Sequence, residues 1–385
     1  MATLLELRVP TVSVITPSPR PTPPDPALDP DRFFNLQTPG SQEWWYFDAI
    51  SEDGEDALVV IFFAGLPFNP AYGTAARRHL ANPGNAPAPH PLDHCGVAFS
   101  WYRPRGASVK RRGRGNPGHR AQAYALNGHR REDFSHDAEP FRLTIGGSRV
   151  ERDAEGYRIR VEAPDWDPTR RIQADLRFRP AAGTEPFEVN LGGEGSPHHW
   201  ILAAADCRVE GSLAIDGPGG ASMTFRGRGY HDHNAGAEEL SMAMTRWQWG
   251  RVHDEDRAEI YYIAQPRKGP AHSLWISCRD GKPELIRDQP DVTVSQRWNN
   301  WFFTPYHGAM TFKDGEGQRL QRWIDHAVDS GPFYQRWLAE FRGPGFRSNR
   351  LGIAEQLDTA KLNHPLYNWM VPYRLKHPAR SSSGG

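Results

Sequence analysis

The chain has 385 residues with 46 Lys and Arg against 46 Asp and Glu; that is length for about two or three domains, and a net charge of zero that removes the simplest electrostatic case for nucleic acid or an anionic membrane as the main partner. Hydrophobic residues reach only 38% while aromatics reach 11%, with 13 Trp, a ring-rich composition that suits β-barrels filled or lined by aromatic side chains. Cys95, Cys207 and Cys278 are far apart and in no metal-ligand spacing, which argues against a disulfide framework and for a reducing, cytoplasmic compartment, and no stretch approaches the roughly 20 apolar residues of a membrane span.

Residues 1–32 read as a Pro-rich extended or disordered arm, with Pro17, Pro19, Pro21, Pro23, Pro24, Pro26 and Pro30 unable to join a ladder or a helix interior. Met1–Pro10 carries only Arg8 as a basic residue and does not read as a signal peptide. Order is expected from Phe33. Glu43–Ala49 and Ala57–Ala64 are aromatic and β-branched runs around the turn Ser51–Asp56, a hairpin pattern. Leu66–Asp93, dense in Gly, Pro and small residues, reads as a long loop and as the place for any transient membrane-surface contact. His94–Arg103 reads as a strand. Ser108–Arg120 is a basic loop that either holds phosphate or is simply solvated.

Phe141–Ile145, Gly156–Ala163 and Arg171–Phe178 continue the strand pattern. Gly183–Pro197 is rich in Gly and Pro, and a domain break is placed there, dividing 33–195 from 196–378 ahead of a flexible tail at 379–385. The second half repeats the style, with Ala203–Ile215, Ala221–Arg226, Leu240–Val252, Ala258–Gln265 and His272–Arg279 among its strands. Helical periodicity is scarce, and Pro332–Phe341 is its best candidate. Short strands with Gly-rich turns predict an all-β protein of antiparallel sheets, and the lack of βαβ alternation argues against a nucleotide-binding fold. No Walker loop, nucleophile elbow or zinc-protease motif is present.

Gly227–Gly236 (GRGYHDHNAG) is the segment richest in chemistry. If it is extended, Tyr230, Asp232 and Asn234 face one side, and His231 and His233 the other. In Pro197–Trp200, His198 and Trp200 share a face. Three readings compete. His231 and His233, with His198 or His199 as third ligand, would make a metal site. The whole segment would otherwise be a polar cluster bracing a barrel corner. In the third reading, Asp232 beside Tyr230 and Trp200 is a carboxylic acid kept protonated by apolar rings, able to protonate an alkene and leave a cation that ring faces stabilise, with His198 positioning the acid or a water. Trp247 and Trp249 of Arg246–Arg251 (RWQWGR) share a strand face and either line a ligand channel or pack a core. Tyr261 is expected to join them in substrate binding.

EWWYFDA at Glu43–Ala49, HHW at His198–Trp200, GRGYHDHNAG and RWQWGR resemble the carotenoid 1,2-hydratase (hydroxyneurosporene synthase) family over most of the chain, from about Phe33 to Tyr373. The resemblance implies two tandem lipocalin-like β-barrels and addition of water to the terminal double bond of an acyclic carotenoid, with no cofactor and no metal. It implies catalytic roles for His198, Trp200, Tyr230 and Asp232, with Asp232 the proton donor, and an apolar small-molecule substrate rather than nucleic acid. The family usually has Trp where this chain has Ala235, a change expected to enlarge or reshape the pocket. A cyclase that shapes a folded polyene, and a non-enzymatic carrier of an apolar ligand, share the same architecture.

Overall fold

The computed structural model of the chain describes residues 28–104, 119–193, 195–324, 327–362, 364–368, 370 and 374–377. The basic loop lies outside them but for its last two residues, as do residues 1–27 of the arm and the C-terminal tail.

A twelve-stranded antiparallel sheet is built from β1 (Gln42–Ser51), β2 (Ala57–Ala64), β3 (Cys95–Pro104), β4 (His119–His129), β5 (Phe134–Ala138), β6 (Phe141–Ile145), β7 (Ser148–Asp153), β8 (Gly156–Pro164), β9 (Arg171–Pro180), β10 (Phe187–Asn190), β11 (His198–Asp216) and β12 (Ala221–Gly236). Its order is β4-β3-β2-β1-β12-β11-β9-β8-β7-β6-β5, with β10 paired to β11. A ten-stranded sheet follows, from β13 (Met244–His253), β14 (Arg257–Pro266), β15 (His272–Arg279), β16 (Lys282–Asp288), β17 (Asp291–Asn299), β18 (Pro305–Lys313), β19 (Arg319–Trp323), β20 (Ala327–Ser330), β21 (Tyr334–Arg342) and β22 (Arg350–Asp358). Its order is β16-β15-β14-β13-β22-β21-β19-β18-β17, with β20 on β21. One sheet curls into a nearly closed barrel and the other into a half-barrel, the all-β lipocalin-like architecture predicted. Among the described residues no helix is long and apolar enough to cross a membrane.

Period-two alternation makes three apolar layers from these two sheets. Trp45, Phe47, Val60, Phe62, Phe99 and Phe178 fill the first sheet's interior. Trp44, Tyr46, Ile61, Trp200 and Tyr230, on the outer face of the same strands, meet Trp247, Trp249, Ile260, Tyr262, Leu338 and Ile353 of the second sheet. Trp275, Phe312, Trp337 and Phe341 fill the second sheet's own interior. The middle layer is where strand neighbours from both halves of the chain converge, and it contains the segments singled out above.

The sheets change over after Gly236. β11 and β12 pair with each other, with β1 and with β9, so the break expected at 195/196 falls inside the first sheet, and the Gly- and Pro-rich stretch there is an excursion that carries β10 back onto β11. Leu66–Asp93 is not all loop: α1 (Pro70–Ala81) starts on Asn69, whose side chain accepts from Ala71 and Tyr72, with Pro at the first helical turn and Arg78 and His79 in the last, all standard helix-end chemistry. The helix expected at Pro332–Phe341 is β21, with Trp337, Ala339 and Phe341 on the inner face and Arg336 and Leu338 on the outer. Among the described residues there are three further short α-helices, α2 (Leu240–Ala243), α3 (Thr359–Leu362) and α4 (Pro365–Asn368), and 3-10 turns at Pro91–His94 and Arg131–Asp133. Asp31, expected in a loose arm, is buried and takes hydrogen bonds from Tyr157, Arg152 and His231.

Candidate active site

β12 sits between β1 and β11, and its register sets Asp232 opposite Tyr46 on one side and Leu202 on the other, and Asn234 opposite Trp44 and Trp200. A run as polar as His231–Asn234 has little β propensity; it is a strand because both its edges are paired. The alternation expected for it holds. Tyr230, Asp232 and Asn234 point into the layer between the sheets, as do His198 and Trp200 of β11.

There the Asp232 carboxyl receives three hydrogen bonds. The Trp200 indole N–H donates to Oδ2 at 2.9 Å, the Tyr230 hydroxyl donates to the same oxygen at 2.8 Å, and Asn234 Nδ2 donates to Oδ1 at 2.9 Å. His198 does not touch Asp232: its Nε2 lies 3.3 Å from Asn234 Oδ1, and its Nδ1 has no protein partner. Burial pushes Asp232 from its ordinary 3.8 up to about 7; the hydrogen bonds from Trp200 and Tyr230 pull the other way, and the charges of Glu355 and Asp48 add to the rise. Desolvation wins because every nearby donor is neutral. Burial also drives His198 down to about 4, so this imidazole is neutral at ordinary pH, and burial holds the Tyr230 phenol well above its ordinary value.

His231 and His233 face the first sheet's interior and are spent there. His231 contacts the Tyr46 carbonyl at 2.9 Å and Asp31 at 3.0 Å, and His233 contacts the Pro30 carbonyl and Glu43, both at 2.9 Å. The two rings stack on Phe47 and Trp45. With all four ring nitrogens against protein oxygens, neither offers a lone pair to a metal. The first sheet's polar corner is built from these groups, and burial's upward push on Asp31 is outweighed by His231 and Arg152, leaving it below its ordinary value. Ala235 shares their face and is buried between Glu43 and His199, so the residue expected to reshape the pocket lies on the far side of the sheet from Asp232.

An apolar cavity adjoins the cluster between the sheets. Trp44, Tyr46, Phe68, Trp247 and Phe333 are among its walls, with Arg336 and Glu355 as polar members. Asp232 is not on that wall: Trp44 and Tyr46, its neighbours one strand away, stand between. Trp247 stacks on Trp44 at 5.8 Å, and Trp249 packs 5.0 Å from Tyr230 and 5.3 Å from Tyr46. Tyr261 lies elsewhere. It stacks on Phe312 in the second sheet's interior, lying over Gly250, where a Cβ would meet its ring at 2.5 Å. Its neighbour Tyr262, opposite Trp249 in the ladder, takes the inter-sheet place and packs 5.2 Å from Trp200.

Several polar residues of this layer carry no mark in the sequence. The Tyr46 hydroxyl donates to Glu355 Oε1 at 2.9 Å, Arg336 Nε donates to the same oxygen at 2.7 Å, and Arg336 Nη1 donates to the Tyr102 hydroxyl at 2.9 Å. Asp48 of the first sheet is paired with Arg251 of the second, both fully buried. Each has a partner on the other sheet, far away in sequence, so periodicity alone could flag only an odd charge on an apolar face.

Comparison with known proteins places the chain in a family. A family model described as carotenoid hydratase CrtC matches residues 60–383. An acyclic carotenoid 1,2-hydratase of Thiocapsa roseopersicina is 30% identical over 91% of this chain and 76% of its own length, and a Chlorobaculum tepidum protein named hydroxyneurosporene dehydrogenase is 29% identical over 90% of each. Among solved structures, an AttH of Nitrosomonas europaea covers 87% of this chain and 99% of its own with a TM-score of 0.55 at 16% identity. Kievitone hydratase of Nectria haematococca covers 88% and 96% with a TM-score of 0.50 at 11% identity; both likenesses show the fold alone. The family match over most of the chain, on a fold of this type, shows that the protein belongs to the carotenoid hydratase family, an enzyme family of hydro-lyases.

Proposed function

We propose that the chain adds water to the terminal C1–C2 double bond of an acyclic carotenoid, with Asp232 as proton donor and no cofactor. The observation that carries this reading is a buried carboxyl poised near neutrality among three neutral donors, in the layer next to an apolar cavity. Once Trp44 or Tyr46, which stand between the acid and the cavity, swings aside to admit the substrate end, Asp232 gives its proton to C2, and the electron pair of the double bond forms the new C–H bond. C1 becomes a tertiary cation, for which the rings of Tyr46, Tyr230, Trp200 and Trp249 are a suitable surrounding. Water adds to C1, and the resulting oxonium releases a proton. Glu355, on the cavity wall and hydrogen-bonded to Tyr46, is the acceptor we assign to it; return of that proton to Asp232 closes the cycle. The sum is one water added with no change in electron count, so the chemistry asks for no redox partner.

Asn234 and His198 suit a positioning role. An amide offers its nitrogen to a carboxylate and, turned over, its oxygen to a carboxylic acid. A neutral His198 follows either orientation by exchanging tautomers, since its Nδ1 is uncommitted. The test is to incubate purified protein with lycopene or neurosporene in heavy water. The expected product is a tertiary alcohol with a single deuterium on C2. Absence of any hydrated product from every acyclic carotenoid tried refutes the substrate assignment.

A further inference from the structure

In a chain that buries most of its rings, one hairpin tip holds them in water. Between β17 and β18, Trp301 is 90% exposed and Phe303 79%, with Leu366 of α4 at 62%. The tip is firmly built. Asn300 Oδ1 accepts from the backbone N–H of Phe302 and of Thr304, each at 2.9 Å, and Lys361 Nζ donates to the Phe302 carbonyl at 2.8 Å. Phe303 is held at φ +57°, a backbone region that bulky residues rarely enter. A braced loop that accepts this conformation and keeps two large rings outward is suited to presenting them to something.

Two further observations identify what. Residues 292–312 contain no Asp or Glu, and Arg297 is their only Lys or Arg, so this hairpin's own charge is positive on a chain whose net charge is zero. The tip is also tied to the cavity rim: Asn300 Nδ2 donates to the Gly331 carbonyl at 2.8 Å, the Thr304 hydroxyl donates to the Pro332 carbonyl, and Gly331 and Pro332 line the apolar cavity. We propose that the 298–303 tip is a membrane-docking element that seats Trp301 and Phe303 at headgroup depth in a bilayer containing anionic lipid, with Arg297 facing the headgroups. Trp suits that boundary because one end is apolar and the other wet, and local cations act there within a Debye length whatever the net charge. Docking would set the cavity rim against the phase in which an apolar substrate dissolves. Only that last consequence rests on the hydratase reading.

The test sediments the full-length chain with vesicles of equal parts phosphatidylcholine and phosphatidylglycerol, and with vesicles of phosphatidylcholine alone. Wild type should partition to the mixed vesicles, and W301S/F303S should lose about tenfold or more of that partitioning. Arg297→Gln should weaken binding to the mixed vesicles only. Leu80→Ser on α1, which removes an apolar residue 52% exposed, should leave binding unchanged. Equal partitioning of wild type and W301S/F303S overturns the proposal, as does a loss that follows Leu80 instead. So does a wild-type dimer that W301S/F303S dissolves in analytical ultracentrifugation, which would make the tip a self-association surface. Sedimentation reads no turnover, so docking can be established or overturned whether or not the chain hydrates a carotenoid. If turnover is found, the double variant should slow it on vesicle-held substrate and not on detergent-dispersed substrate.

Discussion

Asp232→Asn removes a proton and, in mild alkali, a buried charge, while the surroundings can stay in place. The new amide oxygen still accepts from Trp200 and Tyr230, and its nitrogen then meets Asn234, which must turn its own oxygen inward. Asn234 Nδ2 would donate to His198 Nε2, with the imidazole proton moved to Nδ1, the atom with no protein partner. If Asp232 is the acid, turnover should fall by ~10²–10⁴-fold or more. Stability should move the other way. A carboxyl displaced from 3.8 to about 7 holds its proton longer when folded than when unfolded, so wild-type stability should fall as pH rises from about 4 to about 7 and then level off. At about 1.4 kcal/mol per pH unit, the cost of the buried carboxylate is on the order of 4 kcal/mol above that window and near zero below it. The Asn variant lacks this slope, so its melting temperature relative to wild type should climb between about pH 4 and about pH 8. Product formation from lycopene and thermal melts across that range measure both quantities. Full turnover in Asp232→Asn, or parallel melting profiles for the two proteins, would refute the argument.

Trp200→Phe keeps a ring but deletes the indole donor that favours the Asp232 carboxylate, so the alkaline limb of the pH–rate profile should shift to higher pH; an unmoved limb would mean that this hydrogen bond does not tune the acid. Glu355→Gln should lower kcat more than it raises KM if the side chain takes the released proton, whereas Trp247→Ala, on the cavity wall, should act mainly on KM. His231→Ala removes one of the three partners of buried Asp31, leaving Arg152 and Tyr157, and should cost ~1–3 kcal/mol of stability, read by urea titration; prolonged dialysis against a chelator should leave wild-type turnover unchanged.

The inter-sheet cluster is legible in the sequence because period two is unforgiving: once Gly227–Gly236 is extended, Asp232 must share a face with Tyr230 and Asn234, and His231 and His233 must turn away. Tyr261 is misplaced for the same reason, since the wrong parity on β14 exchanges it for Tyr262. Register between segments is another matter. Nothing local reveals that β12 pairs with β1, about 180 residues earlier, and so sequence alone puts this polar segment with the second half of the chain. Glu355 and Arg336 stay invisible for a related reason: their meaning comes from Tyr46 and Tyr102 on the other sheet. The small residues of α1 disguise it as loop, although Asn69-Pro70 at its start is a helix-initiation signal that the sequence carries.

The proposed acid and its retinue, Asp232, Tyr230, Trp200, Asn234 and His198, stand on two adjacent strands of the first sheet, whereas Trp247, Trp249, Tyr262 and Glu355 reach them from the second. The proposed acid is thus inherited through one stretch of polypeptide and the proposed proton acceptor, Glu355, through the other, while the cavity takes its walls from both. Drift in the second stretch can retune its share of the cavity wall without disturbing the group that protonates the polyene, and grafting residues 237–358 from a relative onto 1–236 of this chain would replace that share while conserving chemistry only if the graft keeps a carboxylate at Glu355. The Asp48–Arg251 pair, buried where the two stretches meet, sets a second condition for such a graft: both partners must travel together, or neither.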